Sequence, residues 1–175
     1  MGKMDMYTMA QDGFLADAVA KAIWAEKHRT LDDELSCLFT KASNLALQRN
    51  DWKKCLLLVN AAAGTAESEK QDEEAGFNAA TMSIKVHDNF GLDIENVAQL
   101  FRAVEIASYL PLLPTTVLPD IKRVFNNCVD EMARHGMRPK QFARFIRNFE
   151  AVPAMPEMIA CAKDKLLELH AGPPG

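Results

Sequence analysis

The end of one helix and the start of the next are both indicated by VDEMARHGMRP, residues 129–139. Arg134 and His135 put positive charge into the predicted last turn, where the helix dipole stabilises it. Gly136 can adopt the left-handed conformation that commonly closes a helix. Pro139 cannot continue that helix, but it fits the first turn of a new one. The stretch therefore predicts two helices joined by a short turn, which must pack against each other.

The pattern of apolar residues predicts helices along almost the whole chain. Apolar side chains recur at a spacing of three and four residues, and no alternating run of β-branched and aromatic residues indicates a strand. Capping residues, glycines and prolines divide the chain into segments. The first four predicted helices run from Phe14 to about His28, from the cap Thr30 to about Asn50, from the cap Asn50 or Asp51 to Gly64, and from about Phe77 to between His87 and Gly91. The other four run from the cap Asp93 to Ser108, from Thr115 or Thr116 to Arg134, from Gln141 to about Glu150, and from Met158 to Leu169.

The order Glu131-Met132, then Gly136, then Pro139 resembles the end of a pentatricopeptide repeat (PPR). In that family the second helix of a pair ends this way, and the next pair begins after the proline. Residues 30–64, 97–136 and 139–170 would form three such hairpins. The resemblance implies an all-α, short and degenerate α-solenoid of seven to eight helices arranged as PPR-like hairpins. We expect residues 1–171 to form one helical-repeat domain and residues 172–175 to be a disordered C-terminal end.

Composition excludes several classes of protein. The 175-residue chain carries a net charge of −4, which argues against a general nucleic-acid binder. No apolar run is long enough to cross a bilayer, and we do not expect residues 1–12 to be an intact secretory or transit peptide, although a targeting segment could have been removed by processing. The cysteines are dispersed and lie among apolar residues, so we expect buried free thiols in a reducing intracellular compartment rather than a metal site. They are Cys37, Cys55, Cys128 and Cys161.

No catalytic motif is present in the sequence. The chain lacks a P-loop, a dinucleotide-binding glycine motif, a nucleophile elbow and a zinc-protease motif. Glu105 is the nearest candidate for a functional carboxylate, but we expect it to face water or to pair with Arg102. We therefore predict no enzyme activity and no cofactor, catalytic or metal site.

Basic residues concentrate late in the chain, where phenylalanines interleave with them. This pattern is typical of an amphipathic helix with a phenylalanine core and a basic outer side, and it also occurs in RNA-binding surfaces. The acidic residues between 66 and 74 are expected to form a solvated loop or a first helical turn, or alternatively to dock a basic partner. The candidate partner-binding residues are Arg134, Arg138, Lys140, Arg144 and Arg147.

The PPR resemblance also bears on the choice between protein and RNA. It places Ile146 where RNA-reading members usually carry a small polar residue, and Arg144 where an aromatic residue is common. Isoleucine cannot hydrogen-bond to a base edge, and a single acceptable motif is too short for a code of one base per repeat. The resemblance therefore favours another protein as the partner, and nucleic acid is not expected.

In length, acidity and number of helix pairs, the chain is similar to the small PPR-like accessory subunits of the mitochondrial F1-ATPase of euglenozoan protists. This similarity implies a structural role in ATP synthesis without nucleotide binding, and attachment to the alpha subunit of F1. It also implies a mitochondrial location on the matrix side of the inner membrane, without direct insertion into it. The alternatives are an organellar RNA-binding PPR protein, a helical-repeat component of the mitochondrial ribosome, and a bacterial effector or immunity protein.

Overall fold

A computed structural model describes residues 3–108, 110 and 115–135 of the protein, together with the single residues 147, 160, 163, 164 and 167. These residues fall into two compact units, Met1–Met82 and Ser83–Gly175. The described part is helical and contains no strand, so the predicted all-α class is confirmed. Its six helices are α1 (Lys3–His28), α2 (Asp33–Gln48), α3 (Trp52–Thr65), α4 (Glu69–Phe90), α5 (Val97–Ser108) and α6 (Leu118–Arg134).

Helix α1 begins well before the predicted start at Phe14. Its buried side consists of Leu15, Ala18, Ala22 and Ala25, at helical spacing. The predicted stripe included Ile23, which is instead exposed. The residues before Phe14 contribute little to this buried side. The spacing of apolar residues therefore could not predict that the helix begins before Phe14.

Helices α2 and α3 form an antiparallel hairpin. The backbone N–H of Asp32, just before α2, donates to the carbonyl of Thr65 at the end of α3 over 2.8 Å. The predicted cap of α2, Thr30, is wrong, because the Asp32 carboxylate accepts from the backbone N–H groups of Glu34 and Leu35. Of the two predicted caps of α3, Asn50 and Asp51, the second is confirmed.

That cap is Asp51, whose carboxylate accepts from the backbone N–H of Lys54 over 3.1 Å. Asn50 precedes it with a φ of 59°, a left-handed conformation that asparagine tolerates better than most residues. The turn between α2 and α3 is therefore short and defined by its own residues. Phe39 of α2, with Leu56, Leu58 and Val59 of α3, is fully buried in this unit.

The first part of α4 lies alongside α2 in the same direction. Asp33, at the start of α2, accepts from the backbone N–H groups of Glu67 and Ser68 just before α4. Further along, Gln71 Nε2 donates to Ser36 Oγ over 3.1 Å. The acidic residues from Glu69 onward therefore lie in the first turns of α4. This agrees with the expectation that they occupy a first helical turn.

Polar contact between α2 and α4 continues about two turns further along both helices. Asn44 Nδ2 donates to Asn78 Oδ1 over 3.0 Å, and Asn78 Nδ2 donates to Ser43 Oγ over 2.9 Å. Ser43 Oγ in turn donates to the carbonyl of Thr40. We define the α2–α4 polar contact as Ser36, Ser43, Asn44, Gln71 and Asn78.

The second unit contains the end of α4 together with α5 and α6. Asp93 precedes α5 as predicted, and its carboxylate accepts from the backbone N–H groups of Glu95 and Asn96. The rings of Phe101 and Phe125 pack with their centroids 5.5 Å apart and join α5 to α6. This ring pair lies in the buried core of the unit.

The start of α6 differs from the prediction. Pro119 lies in its first turn, as expected, but Thr115 and Thr116 precede the helix in a turn and do not cap it. Arg134 lies in the last turn, which confirms the predicted end of this helix.

Several predicted features lie outside the described residues. They include the closing glycine Gly136, the proline Pro139 and the C-terminal end 172–175. Most of the predicted helices 141–150 and 158–169 also lies outside them. Within those two segments, the residues that the structure describes are each helical, and they are Arg147, Lys163, Asp164, Ala160 and Leu167.

Candidate partner-binding surface

Arg134 is the candidate residue that the structure describes in most detail. It lies on the last turn of α6, its side chain is 70% exposed, and its guanidinium donates to Glu131 Oε2 over 3.0 Å. His135 Nε2 lies 2.7 Å from the other carboxylate oxygen of Glu131. The Glu131 side chain is almost buried between these two groups. Arg134 is therefore accessible to a partner, but part of its charge is already matched by Glu131.

Arg147 is helical and exposed. Arg138, Lys140 and Arg144 lie outside the described residues. The structure thus describes Arg134 and Arg147 individually, and the expectation that all five candidates share one surface remains a prediction.

A polar cluster between the end of α4 and the exposed side of α6 was not predicted. Arg123 of α6 donates to both carboxylate oxygens of Asp88, over 2.7 and 3.1 Å, and to Asp120 over 3.2 Å. The imidazole of His87 lies between Asp88, 2.8 Å from its Nδ1, and Asn127, 3.0 Å from its Nε2. These five side chains connect α4 to α6, and we call them the Asp88–Arg123 cluster.

Electrostatics in the Asp88–Arg123 cluster follow from these contacts. The hydrogen bonds from Arg123 and then from His87 lower the pKa of Asp88 to about 2. The same contacts with Asp88 and Asp120 raise the pKa of Arg123 above its usual range. Both described arginines of α6, Arg123 and Arg134, are therefore matched by carboxylates. This arrangement reduces the positive potential that α6 offers to an anionic partner.

We expect the Asp88→Asn variant to show how this cluster contributes to stability at different pH values. The lowered pKa of Asp88 means that its contribution is complete above the usual value of 3.8 and is lost as the pH falls towards 2. The side chains of Asp88 and Arg123 are both exposed, so solvent screening limits the contribution of their ion pair to stability to about 0.5–1 kcal/mol. Urea unfolding should give a difference between the natural protein and the variant that is constant near neutrality and shrinks in acid. Asp72→Asn controls for loss of a surface charge, and a difference independent of pH would contradict the expectation.

The thiols that the structure describes are free, as predicted. Cys55 and Cys128 are buried, and Cys37 is half-buried. Burial, with a smaller effect of the Asp51 charge, raises the pKa of Cys55 to about 12. Burial also raises the pKa of Cys128, assisted by Glu131. These two thiols are therefore poor nucleophiles near neutral pH.

Glu105 is half-buried on α5, and burial raises its pKa while the nearby charge of Arg102 opposes the shift. The proximity of Arg102 agrees with the expected pairing. Among the described residues, no group of histidine, cysteine and acidic side chains could hold a metal ion. No helix in the described part of the chain is long and apolar enough to span a membrane.

Comparison with known proteins gives no assignment. No protein-family model matches the chain. Neither a curated protein nor a solved structure matches it. The function proposed below therefore rests on contacts within the protein and on its sequence.

Proposed function

We propose that this protein is a non-catalytic accessory subunit, built as a short PPR-like α-solenoid, that holds another protein. The proposed partner is the alpha subunit of the mitochondrial F1-ATPase, on the matrix side of the inner membrane. In this role the chain supports ATP synthesis structurally and binds no nucleotide. The similarity to the F1 accessory subunits motivates the choice of partner.

The observation that carries the solenoid is a nearly constant offset of 34 or 35 positions between contacting residues of α2 and α4. Ser36 contacts Gln71, and Ser43 contacts Asn78, each pair 35 residues apart. A repeat of helix pairs brings equivalent positions of successive first helices together, so contacting residues differ by one repeat length. The α2–α4 polar contact follows this rule, and its two helices run in the same direction as successive first helices must.

The contacts of the second unit do not extend this regular offset. Arg123 of α6 contacts Asp88 of α4 across 35 positions, but Asn127 contacts His87 across 40. The resemblance at Gly136 and Pro139 also implies that α6 is the second helix of its pair, so these contacts do not join successive first helices. About 35 residues is the usual length of a PPR hairpin, and the predicted hairpin 30–64 has this length. The repeat that we propose is therefore degenerate rather than uniform.

Charge supports a protein partner over RNA. The chain has a net charge of −4, and RNA binding depends strongly on unpaired positive charge near the phosphates. Arg123 and Arg134 are each engaged by carboxylates. Helical repeats commonly bind proteins through their exposed side chains.

The proposal is tested by binding the full chain to purified F1-ATPase from the same organism. We expect the immobilised chain to retain F1, and chemical cross-linking with mass spectrometry to join it to the alpha subunit. Arg147→Glu should weaken retention by roughly tenfold, because reversing an interface charge costs about 1–2 kcal/mol. The fold should be unaffected, since Arg147 is exposed.

Lys85→Glu is the matched control, because Lys85 is an exposed cation in the same unit and outside the candidate surface. Its binding to F1 should equal that of the natural protein. A chain that fails to retain F1 at micromolar concentration would overturn the proposed partner. Retention of RNA that falls steeply between two salt concentrations would instead favour the RNA-binding alternative.

A further inference from the structure

The short connection between α1 and α2 holds the chain in a left-handed turn. Arg29, its first residue, has a φ of 51°. The backbone N–H of Arg29 donates to the carbonyl of Glu26, and that of Thr30 donates to the carbonyl of Ala25, which is the pattern of a Schellman motif. Glycine usually fills the left-handed position of this motif, because a side chain is strained there. The turn that ends α1 is therefore closed at a cost in free energy.

The sequence of this connection is also compatible with a continuous helix. Residues 28–34, HRTLDDE, contain neither glycine nor proline, the two residues that interrupt helices most strongly. In a continuous helix, the backbone N–H groups that the Asp32 carboxylate now caps would donate to carbonyls four positions earlier. The carbonyl of Thr65, which now accepts from the N–H of Asp32, would lose that donor. The junction is therefore compatible with two conformations, one closed by a left-handed turn and one in which α1 and α2 are a single helix.

The surface beneath α1 is built by the α2–α3 hairpin. Within the described part of the chain, α1 packs on α2 and α3. The buried side chains of α1 are Leu15, Ala18, Ala22 and Ala25. The α1 helix of a second chain carries the same side chains at the same spacing, so it fits this surface as well as the chain's own helix does. The surface beneath α1 thus selects α1, whichever of two chains supplies it.

One charged contact fixes the position of α1 along this surface. Arg49, directly after α2, lies 2.7 Å from the carboxylate of Asp12 on α1. The Arg49 guanidinium also donates to Gln11 Oε1 over 3.0 Å. An α1 helix from a second chain brings its own Asp12 to the same place, so it makes the same attractive pair with Arg49. The ion pair of Asp12 and Arg49 can therefore report which chain supplies the helix.

We propose that two copies of this protein exchange their α1 helices, so that α1 of each copy packs on α2 and α3 of the other. In the exchanged dimer, residues 29–32 are helical, and α1 and α2 of each chain form one continuous helix. The exchange relieves the left-handed conformation of Arg29 in both copies and keeps the contacts of α1. A short connection under strain is the feature that favours such an exchange over packing within one chain. The proposal does not depend on the proposed F1 partner.

Refolding the full chain from urea at about 5 and about 500 µM tests the association, because exchange requires two chains to meet. Size-exclusion chromatography should show a monomer at the lower concentration and a substantial fraction of dimer at the higher one. Arg29→Gly should weaken the dimer by at least roughly tenfold, since glycine adopts the left-handed turn without strain and disfavours a continuous helix. The monomer of this variant should melt at the same temperature as the natural monomer or higher, which shows that the fold is kept.

Asn50→Gly is the matched control for Arg29→Gly. Asn50 has a φ of 59° and lies in the turn between α2 and α3, which the exchange does not alter. The dimer of this variant should be as strong as that of the natural protein. A natural protein that stays monomeric after refolding at the higher concentration would overturn the proposal, and so would an unchanged dimer in Arg29→Gly.

Charge reversal distinguishes an exchanged dimer from any other dimer. Arg49→Glu leaves two negative charges at the contact with Asp12, and Asp12→Arg leaves two positive charges at the contact with Arg49. When the two variants are refolded together, only a mixed dimer with exchanged helices pairs opposite charges at both contacts. Native mass spectrometry should find this mixed dimer in roughly tenfold excess over the sum of the two unmixed dimers. Equal amounts of mixed and unmixed dimers, as random association gives, would overturn the exchange.

Discussion

Replacing Phe39 with alanine will destabilise the first unit by about 3–5 kcal/mol, the range found when a fully buried phenylalanine is removed. Phe39 has no exposed surface, and it lies in the core formed by α2 and α3. The close α2–α3 hairpin leaves little freedom for neighbours to fill the cavity. Urea unfolding followed by circular dichroism at the helical band gives the change in the free energy of unfolding.

Phe77→Ala is the matched control, because it removes the same side chain from a position that is 43% exposed. Its cost should remain below about 1 kcal/mol. Equal losses at Phe39 and Phe77 would mean that α2 does not pack into the core as described. A loss of stability in Phe39→Ala alone would show that the core of the α2–α3 hairpin stabilises the first unit.

The second large effect is expected in the α2–α4 polar contact. Asn44→Leu should cost about 1–3 kcal/mol, because Asn78 Oδ1 then loses the donor that lies 3.0 Å away. Replacing both asparagines with leucine should recover part of this loss, since no partly buried amide oxygen then lacks its partner. A double-mutant cycle of Asn44→Leu and Asn78→Leu measures the coupling between the two side chains.

Asn89→Leu provides the control for this cycle, because Asn89 is an exposed asparagine on α4. Its effect should stay within about 0.5 kcal/mol. Additive losses in the two single variants, with no coupling, would show that the contact does not hold α2 and α4 in register. Strong coupling would support the contact between α2 and α4 on which the proposed repeat depends.

Much of the fold could be predicted from local sequence signals. Asp51 and Asp93 were identified as helix caps because an aspartate directly before an apolar stripe satisfies free backbone N–H groups. Pro111 and Pro114 predicted a break between α5 and α6, because proline cannot continue a helix. Thr30 failed as a cap because the helix begins later, where the Asp32 carboxylate accepts from the N–H groups of Glu34 and Leu35. Single sequences do not decide between two neighbouring capping residues.

The contacts between helices were much harder to predict. The expected apolar stripes are present, but the α2–α4 polar contact joins serine, asparagine and glutamine side chains that no hydrophobic pattern reveals. The ion pair of Glu131 and Arg134 could be predicted from the sequence, because the two residues are one helical turn apart. The pair Asp88 and Arg123 could not be predicted, since a separation of 35 positions gives no local signal.

The buried side of α1 limits how this helix can change. Three of its four buried residues are alanines with no or almost no exposed surface, so single methyl groups separate α1 from the helices beneath it. Any larger side chain at Ala18 or Ala22 would push the helix outward. In a library of random variants, these positions should accept little beyond glycine, alanine and serine. The evolutionary freedom of α1 is therefore confined to the surface that faces away from its own chain.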